Sequence, residues 1–155
     1  MQRLTRNLSR FFALPPTERR TFLAAMALHP LFWLGLHVFG YASFRARLDR
    51  MPPLSPAQEE VKLDALFALG RLVNLASRHT PMPATCLSRS LVLCWLLRRR
   101  GIPCELRIGV QLVRGKLDAH AWVEHEGIPI NDTQDVAQRY AAFGGPLTTE
   151  SFTAQ

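Results

Sequence analysis

The chain has 155 residues, 48% apolar and 20% charged, with a net charge of +7. That balance excludes a disordered segment and suits one unit with a buried core. Three cysteines, an odd number with no CxxC pair, argue against a disulfide framework or a zinc site and for a reduced thiol pool.

The charge is uneven. Residues 1–50 carry eight arginines against Glu18 and Asp49, whereas basic and acidic residues nearly balance over 51–155. No aromatic-and-glycine motif accompanies the arginines, so no nucleic-acid partner is expected. An acidic peptide region, a partner protein or an anionic membrane surface fits the N-terminal charge equally well.

In chain order, Met1–Phe12 is a basic, partly amphipathic start. Pro15-Pro16-Thr17 opens a helix expected to run to about Leu28. Pro30 can begin a second helix reaching about Leu48. No charged residue occurs between Thr21 and Phe44, a length sufficient to span a bilayer. His29, Pro30, Gly35, His37 and Gly40 interrupt it, so a broken pair of core helices competes with membrane contact through residues 21–44. Met51-Pro52-Pro53-Leu54-Ser55-Pro56 reads as a linker. Ser55, with Pro56 and Gln58, can cap a helix to about Ser77 that buries Leu66, Leu69, Val73 and Ala76.

Beyond Pro81, Pro83 and Thr85, helical spacing of Leu87, Leu91, Cys94 and Trp95 predicts a mostly buried helix from Cys86 to Arg100. Gly101 is a suitable residue to follow its end. Cys86 thus falls in the first turn, where free N–H groups and the helix dipole favour a thiolate. The period then changes to two. Leu106, Ile108, Val110 and Leu112 predict a strand with one buried face, Arg114-Gly115-Lys116 a turn, and Ala119–Glu124 and Ile128–Asp132 two further strands. A three-residue loop His125-Glu126-Gly127 would set Glu124 opposite Ile128 and His120 opposite Asp132, within carboxylate–imidazole reach. A two-residue loop would set His120 opposite Thr133 and turn Asp132 away. His125 is expected in the loop. Thr133 can cap a short helix ending near Phe143, before a loose tail over 146–155.

Cysteine, imidazole and carboxylate are the parts needed for acyl transfer. The expected architecture is α+β. N-terminal helices over 1–50 precede a core over 51–145, in which a central helix carrying Cys86 packs on an antiparallel sheet carrying His120 and Asp132.

The ordered series Cys86-Leu87-x-Arg89-Ser90-Leu91, Leu96-Leu97-Arg98-Arg99-Arg100-Gly101-Ile102-Pro103, Ile108-Gly109-Val110, Ala119-His120-Ala121-Trp122-Val123-Glu124 and Asp132 resembles the B2 leader peptidases of lasso-peptide biosynthesis. That is the family of the microcin J25-processing protein McjB, within the transglutaminase/papain-like superfamily. The resemblance is strong over about 80–135 and looser at Leu14-Pro15-Pro16-x-x-Arg19. It implies a cofactor-free thiol protease that removes the leader from a ribosomal precursor peptide, with Cys86 as nucleophile, His120 as base and Asp132 as its orienter.

The Cys86 N–H is a natural oxyanion donor. No second donor is evident, and Gln58 reads as a cap residue. Some members of that family carry a leader-binding domain ahead of the protease. Residues 1–50 read as helix, so a separate recognition protein and a lasso cyclase are the expected partners, the arginine-rich N-terminus a docking surface, and the cytoplasm the expected location. Two rival classes share these residues: an acyltransferase or amidase with the same triad, and a non-enzymatic membrane-associated binding protein.

Overall fold

The computed structural model describes residues 11–56 and 60–142. The basic start up to Arg10, the cap residue Gln58 and the tail expected beyond Gly145 lie outside them. The described chain forms α1 (Pro16–Asp49), α2 (Leu63–Ser77), α3 (Cys86–Arg99), β1 (Glu105–Val113), β2 (Lys116–His125), β3 (Ile128–Pro129), α4 (Val136–Arg139) and β4 (Ala141–Ala142). The sheet is antiparallel with strand order β3-β2-β1-β4. Helices packed on an antiparallel sheet give the expected α+β class.

The break in α1 falls at Gly40 and not at His29-Pro30. Pro30 lies inside helical backbone, whereas Gly40 takes φ 70° and ψ 166°, a conformation that only glycine adopts freely. The chain doubles back there. Phe44 packs edge-on against Phe32 with ring centroids 5.2 Å apart. A Cβ at Gly35 would meet the Phe44 ring at 2.3 Å. By length and composition α1 could cross a membrane, yet Thr21, Ala25, His29, Phe32 and Gly35 form one buried stripe. Ala25 and Phe32 join the same core as Leu66, Val73, Leu91, Leu97 and Ile130. The opposite face, with Leu23, Leu31, Leu34 and Val38, is exposed.

Helix α2 starts at Leu63, later than the Ser55 cap predicts. The linker is held instead across the C-terminal end of α3. Leu54 N–H donates to the Arg99 carbonyl at 2.9 Å, and the Arg99 guanidinium donates to the Pro52 carbonyl. The Pro56 carbonyl lies where a Cβ of Gly101 would point. The Leu54 N–H thus satisfies a carbonyl of the last helical turn, which has no partner within the helix. The stripe Leu66, Leu69, Val73 and Ala76 is buried as expected. Gly70 permits a close approach: a Cβ there would lie 2.1 Å from the Ile130 carbonyl oxygen.

Helix α3 is central and buried on most sides, with Leu91, Val92, Leu93 and Leu97 at most 1% exposed. Each fully buried leucine contributes about 1.5–3 kcal/mol. Thr85 caps it, its Oγ1 accepting from Ser88 N–H at 3.2 Å. Gly101 ends it at φ 73°, with Gly101 N–H bonded to Arg98 O and Ile102 N–H to Leu97 O, the Schellman pattern.

Both hairpin loops contain two residues. Val113 pairs with Lys116 and His125 with Ile128, leaving Arg114-Gly115 and Glu126-Gly127 as the turns. All four have positive φ, as the primed turns that match strand twist require. The three-residue loop is therefore corrected. Glu124 faces Pro129, and His125 is a strand residue, 6% exposed, whose Nδ1–H donates to the Pro103 carbonyl at 2.7 Å. Other bounds differ as well: the second strand begins at Lys116, and the last short helix follows Asp135 and not Thr133. The third strand ends at Pro129, the last short helix ends at Arg139, and Ala141–Ala142 forms an extra edge strand beside Gly109 and Val110. Leu112, expected on the buried face, is 73% exposed at the hairpin tip.

Candidate active site

Cys86 is the first residue of α3 and is half-buried. At that position its N–H has no partner within the helix. Cys86, His120 and Asp132 line one open cleft of about 430 Å³, together with Phe67, Arg71, Asn74, Arg89 and Asn131. The other two cysteines lie elsewhere. Cys94 is buried, and its Sγ is 3.0 Å from that of Cys104, both free.

His120 Nε2–H donates to Asp132 Oδ2 at 2.6 Å. The register alone would prevent this, because the two-residue turn sets His120 against Thr133. The ladder stops before that point. Ile130 N–H still donates to the Val123 carbonyl at 2.9 Å. Val123 N–H then donates to the side-chain Oδ1 of Asn131 at 2.8 Å, not to a strand carbonyl. Asn131 Nδ2 donates to Ser90 Oγ at 3.1 Å, and the Asn131 carbonyl accepts from Asn74 Nδ2 at 2.9 Å. Asn131 therefore replaces the next step of the strand, ties it to α2 and α3, and lets the chain bring Asp132 back to His120. The other oxygen of Asp132 accepts from Thr133 N–H at 2.8 Å.

The imidazole is held on its face as well. Its ring stacks on Tyr140 with centroids 4.9 Å apart and 30° between planes, and lies 6.3 Å from Trp122 at 20°. Opposite His120, Gly109 makes room. A Cβ there would come within 3.0 Å of the Trp122 ring, Tyr140 Cβ and the Ala141 carbonyl oxygen. Trp122 is wholly buried, and its Nε1–H donates to Glu124 Oε1 at 2.8 Å. Arg107 Nε–H donates to Oε2 of the same carboxylate at 2.9 Å, so this buried charge is paired. Tyr140 O–H donates to Asp118 at 2.9 Å. Hydrogen bonds from Gln111 and Tyr140 hold the Asp118 carboxyl below its ordinary range. Burial and the neighbouring Asp118 push the Tyr140 hydroxyl up.

The three residues expected from the sequence thus share one cleft, and two of them are bonded directly. Tyr140, Asn74 and Ser90 were not foreseen as part of the site. No local motif marks Tyr140 or Asn74, and Ser90, although it stands in the Cys86–Leu91 motif, shows its part only through its bonds to Ala121 and Asn131.

The Transglutaminase-like superfamily domain matches residues 31–143. The chain belongs to the transglutaminase-like superfamily. That superfamily is made up typically of cysteine-dependent enzymes and includes both cysteine proteases and acyltransferases. No curated protein and no solved structure matches the chain. Among the described residues no group of three or more His, Cys, Asp or Glu side chains could hold a metal ion.

Proposed function

We propose that this transglutaminase-like chain is a cysteine peptidase that removes the leader from a ribosomally made precursor of the lasso-peptide type. The observation that carries the reading is the His120–Asp132 pair facing the same cleft as a cysteine at a helix N-terminus. Asp132 occupies Nε2, which leaves Nδ1 to take the thiol proton. The Cys86 thiolate then attacks the carbonyl at the leader–core junction, and the Cys86 N–H receives the developing oxyanion. Protonated His120 passes its proton to the leaving amine as the tetrahedral adduct collapses to a thioester. Water, deprotonated by His120, releases the leader acid and restores the thiol. Asp132 holds the ring in the tautomer that this sequence needs.

In this reading a separate recognition protein presents the leader and a cyclase takes the freed core, in the cytoplasm. The exposed apolar face of α1 and the basic N-terminal region are where the chain meets that recognition protein or a membrane surface. The reading is tested by mass spectrometry of a precursor incubated with the chain and its recognition protein. Cleavage at one junction that disappears in Cys86→Ala is the expected result. An intact precursor, or transfer of the acyl group to an added amine with no hydrolysis, would overturn the peptidase assignment in favour of an acyltransferase.

A further inference from the structure

We propose that the cleft beside Cys86 binds a substrate carboxylate between the guanidinium groups of Arg71 and Arg89, close to the carbonyl that is attacked. This names the substrate class of the site proposed above, and it rests on that reading only for the position of the reacting carbonyl.

Arg89 stands one turn after Cys86 on α3. Side chains three apart share a helix face with Cβ atoms about 5–6 Å apart, so the guanidinium and the sulfur look into one space. Arg71 reaches the same cleft from α2. Among the described residues neither arginine side chain has a hydrogen-bond or ion-pair partner, and Arg89 Nε is buried without any acceptor. A buried donor left without a partner is costly, and a guanidinium fork matches a carboxylate.

The cleft's own acid cannot serve both roles. Among the described residues Asp132 is its single carboxylate, and it is bonded to His120 and Thr133. His29, the buried neighbour of Arg89, supplies no negative charge. Burial lowers the pKa of its imidazole, the bond to the Ala25 carbonyl opposes this in part, and the charge of Arg89 lowers it further. An extended peptide advances about 3.3 Å per residue. The carboxylate therefore lies within one or two residues of the scissile bond, either as an acidic side chain or as a chain terminus.

Alkylation of Cys86 tests this without any peptidase assay. Iodoacetate and iodoacetamide differ in little but the carboxylate. The ratio of their rates at Cys86, read by peptide mass mapping, is compared with that of the same chain unfolded in urea. The expected ratio in the folded chain is about tenfold higher, as for one charge-assisted contact. It should shrink in 1 M salt and fall toward the unfolded value in Arg89→Gln and in Arg71→Gln. Arg71 is exposed, so Arg71→Gln decides the matter if Arg89→Gln does not fold. Protonated His120 would also attract iodoacetate, so the preference must survive in His120→Ala.

Protection of Cys86 from iodoacetamide separates the two sources. N-acetylglutamate α-amide at millimolar concentration would report an internal acidic residue. N-acetylglutamine with a free α-carboxylate would report a terminus, and N-acetylglutamine amide is the neutral control. The proposal is overturned by a ratio that neither arginine substitution changes, or by no protection beyond the neutral control. A chain that cleaves no precursor yet keeps the arginine-dependent preference loses the peptidase reading and keeps the anion site. A chain that cleaves without the preference does the reverse.

Discussion

Asn131→Ala should loosen the site without touching any of the three reacting residues. The substitution removes two side-chain hydrogen bonds, Val123 N–H to Oδ1 at 2.8 Å and Nδ2 to Ser90 Oγ at 3.1 Å. Val123 is 0% exposed, so its amide becomes a buried donor without a partner, which costs about 1–3 kcal/mol. Ser90 keeps its bond to the Ala121 carbonyl at 2.9 Å, so its loss is nearer 0.5–1.5 kcal/mol. Together these give about 2–4 kcal/mol, or a fall in Tm of roughly 4–16 °C for a chain of this size. Thermal melting followed by circular dichroism measures the total, and hydrogen exchange at the Val123 amide isolates the first part. Activity should fall as well, because the turn that brings Asp132 to His120 is built on this residue. A variant that melts within about 1 °C of the parent, with an unchanged Val123 exchange rate, would refute the clamp and the account of how Asp132 escapes the strand register.

Cys86→Ala should abolish cleavage, whereas Cys94→Ala and Cys104→Ala retain it with at most a stability loss of a few kcal/mol; turnover by purified Cys86→Ala would contradict the nucleophile assignment. His120→Ala should cost as much activity as Cys86→Ala, since such residues act as a unit, and Asp132→Asn should cost less; steady-state kinetics of the three variants compares them. His125→Ala should keep its turnover but lose about 1–3 kcal/mol of stability in denaturant melts, through the buried bond to Pro103. His29, whose Nδ1–H donates to the Ala25 carbonyl at 2.6 Å, makes stability depend on pH. Burial, reinforced by Arg89, lowers its folded pKa, so the unfolded chain takes up the proton first as the pH falls. The folded chain should be fully stabilised above the unfolded value of about 6.5 and weaken below it; a urea-midpoint profile over that range should flatten in His29→Asn.

Much of the frame was legible because it depends on spacing. The stripe of α2 and the cap-to-Gly101 extent of α3 are local patterns that tertiary contacts did not override, whereas the alternation of β1 was overridden, since Gly109 is its buried residue and Leu112 is exposed. What the spacing could not reveal was backbone conformation at single residues. Glu126 and Arg114 take positive φ although neither is glycine, asparagine or aspartate, and this shortens both turns by one residue. Gly40, not Pro30, bends α1, because an internal proline removes one hydrogen bond while a left-handed residue redirects the whole chain. The pairing of His120 with Asp132 was anticipated through the wrong geometry. The expected route was direct opposition across a three-residue loop, whereas the observed one is the side-chain substitution made by Asn131. Arg89 stood in the recognised motif and Asn131 directly before its last residue, but only their surroundings reveal that one is an unpartnered guanidinium and the other a clamp.

The contact between Gly70 and the Ile130 carbonyl bears on how such a cleft can change over generations. The separation of α2 from the chain leaving β3 is set there by main chain against main chain. Arg71 projects from the same helix one residue further on and lines the opening without setting its width, whereas Asn74, roughly one turn on, bonds the Asn131 carbonyl and helps to hold the walls together. Substitutions at Arg71 can therefore exchange the substrates accepted while the distance between the two walls stays constant. Position 70 has no such freedom, because the smallest side chain would push the walls apart and carry the Asn131 turn with it. Drift should thus be tolerated at Arg71 and purged at position 70, which makes this a pocket whose selectivity can change within a fixed frame.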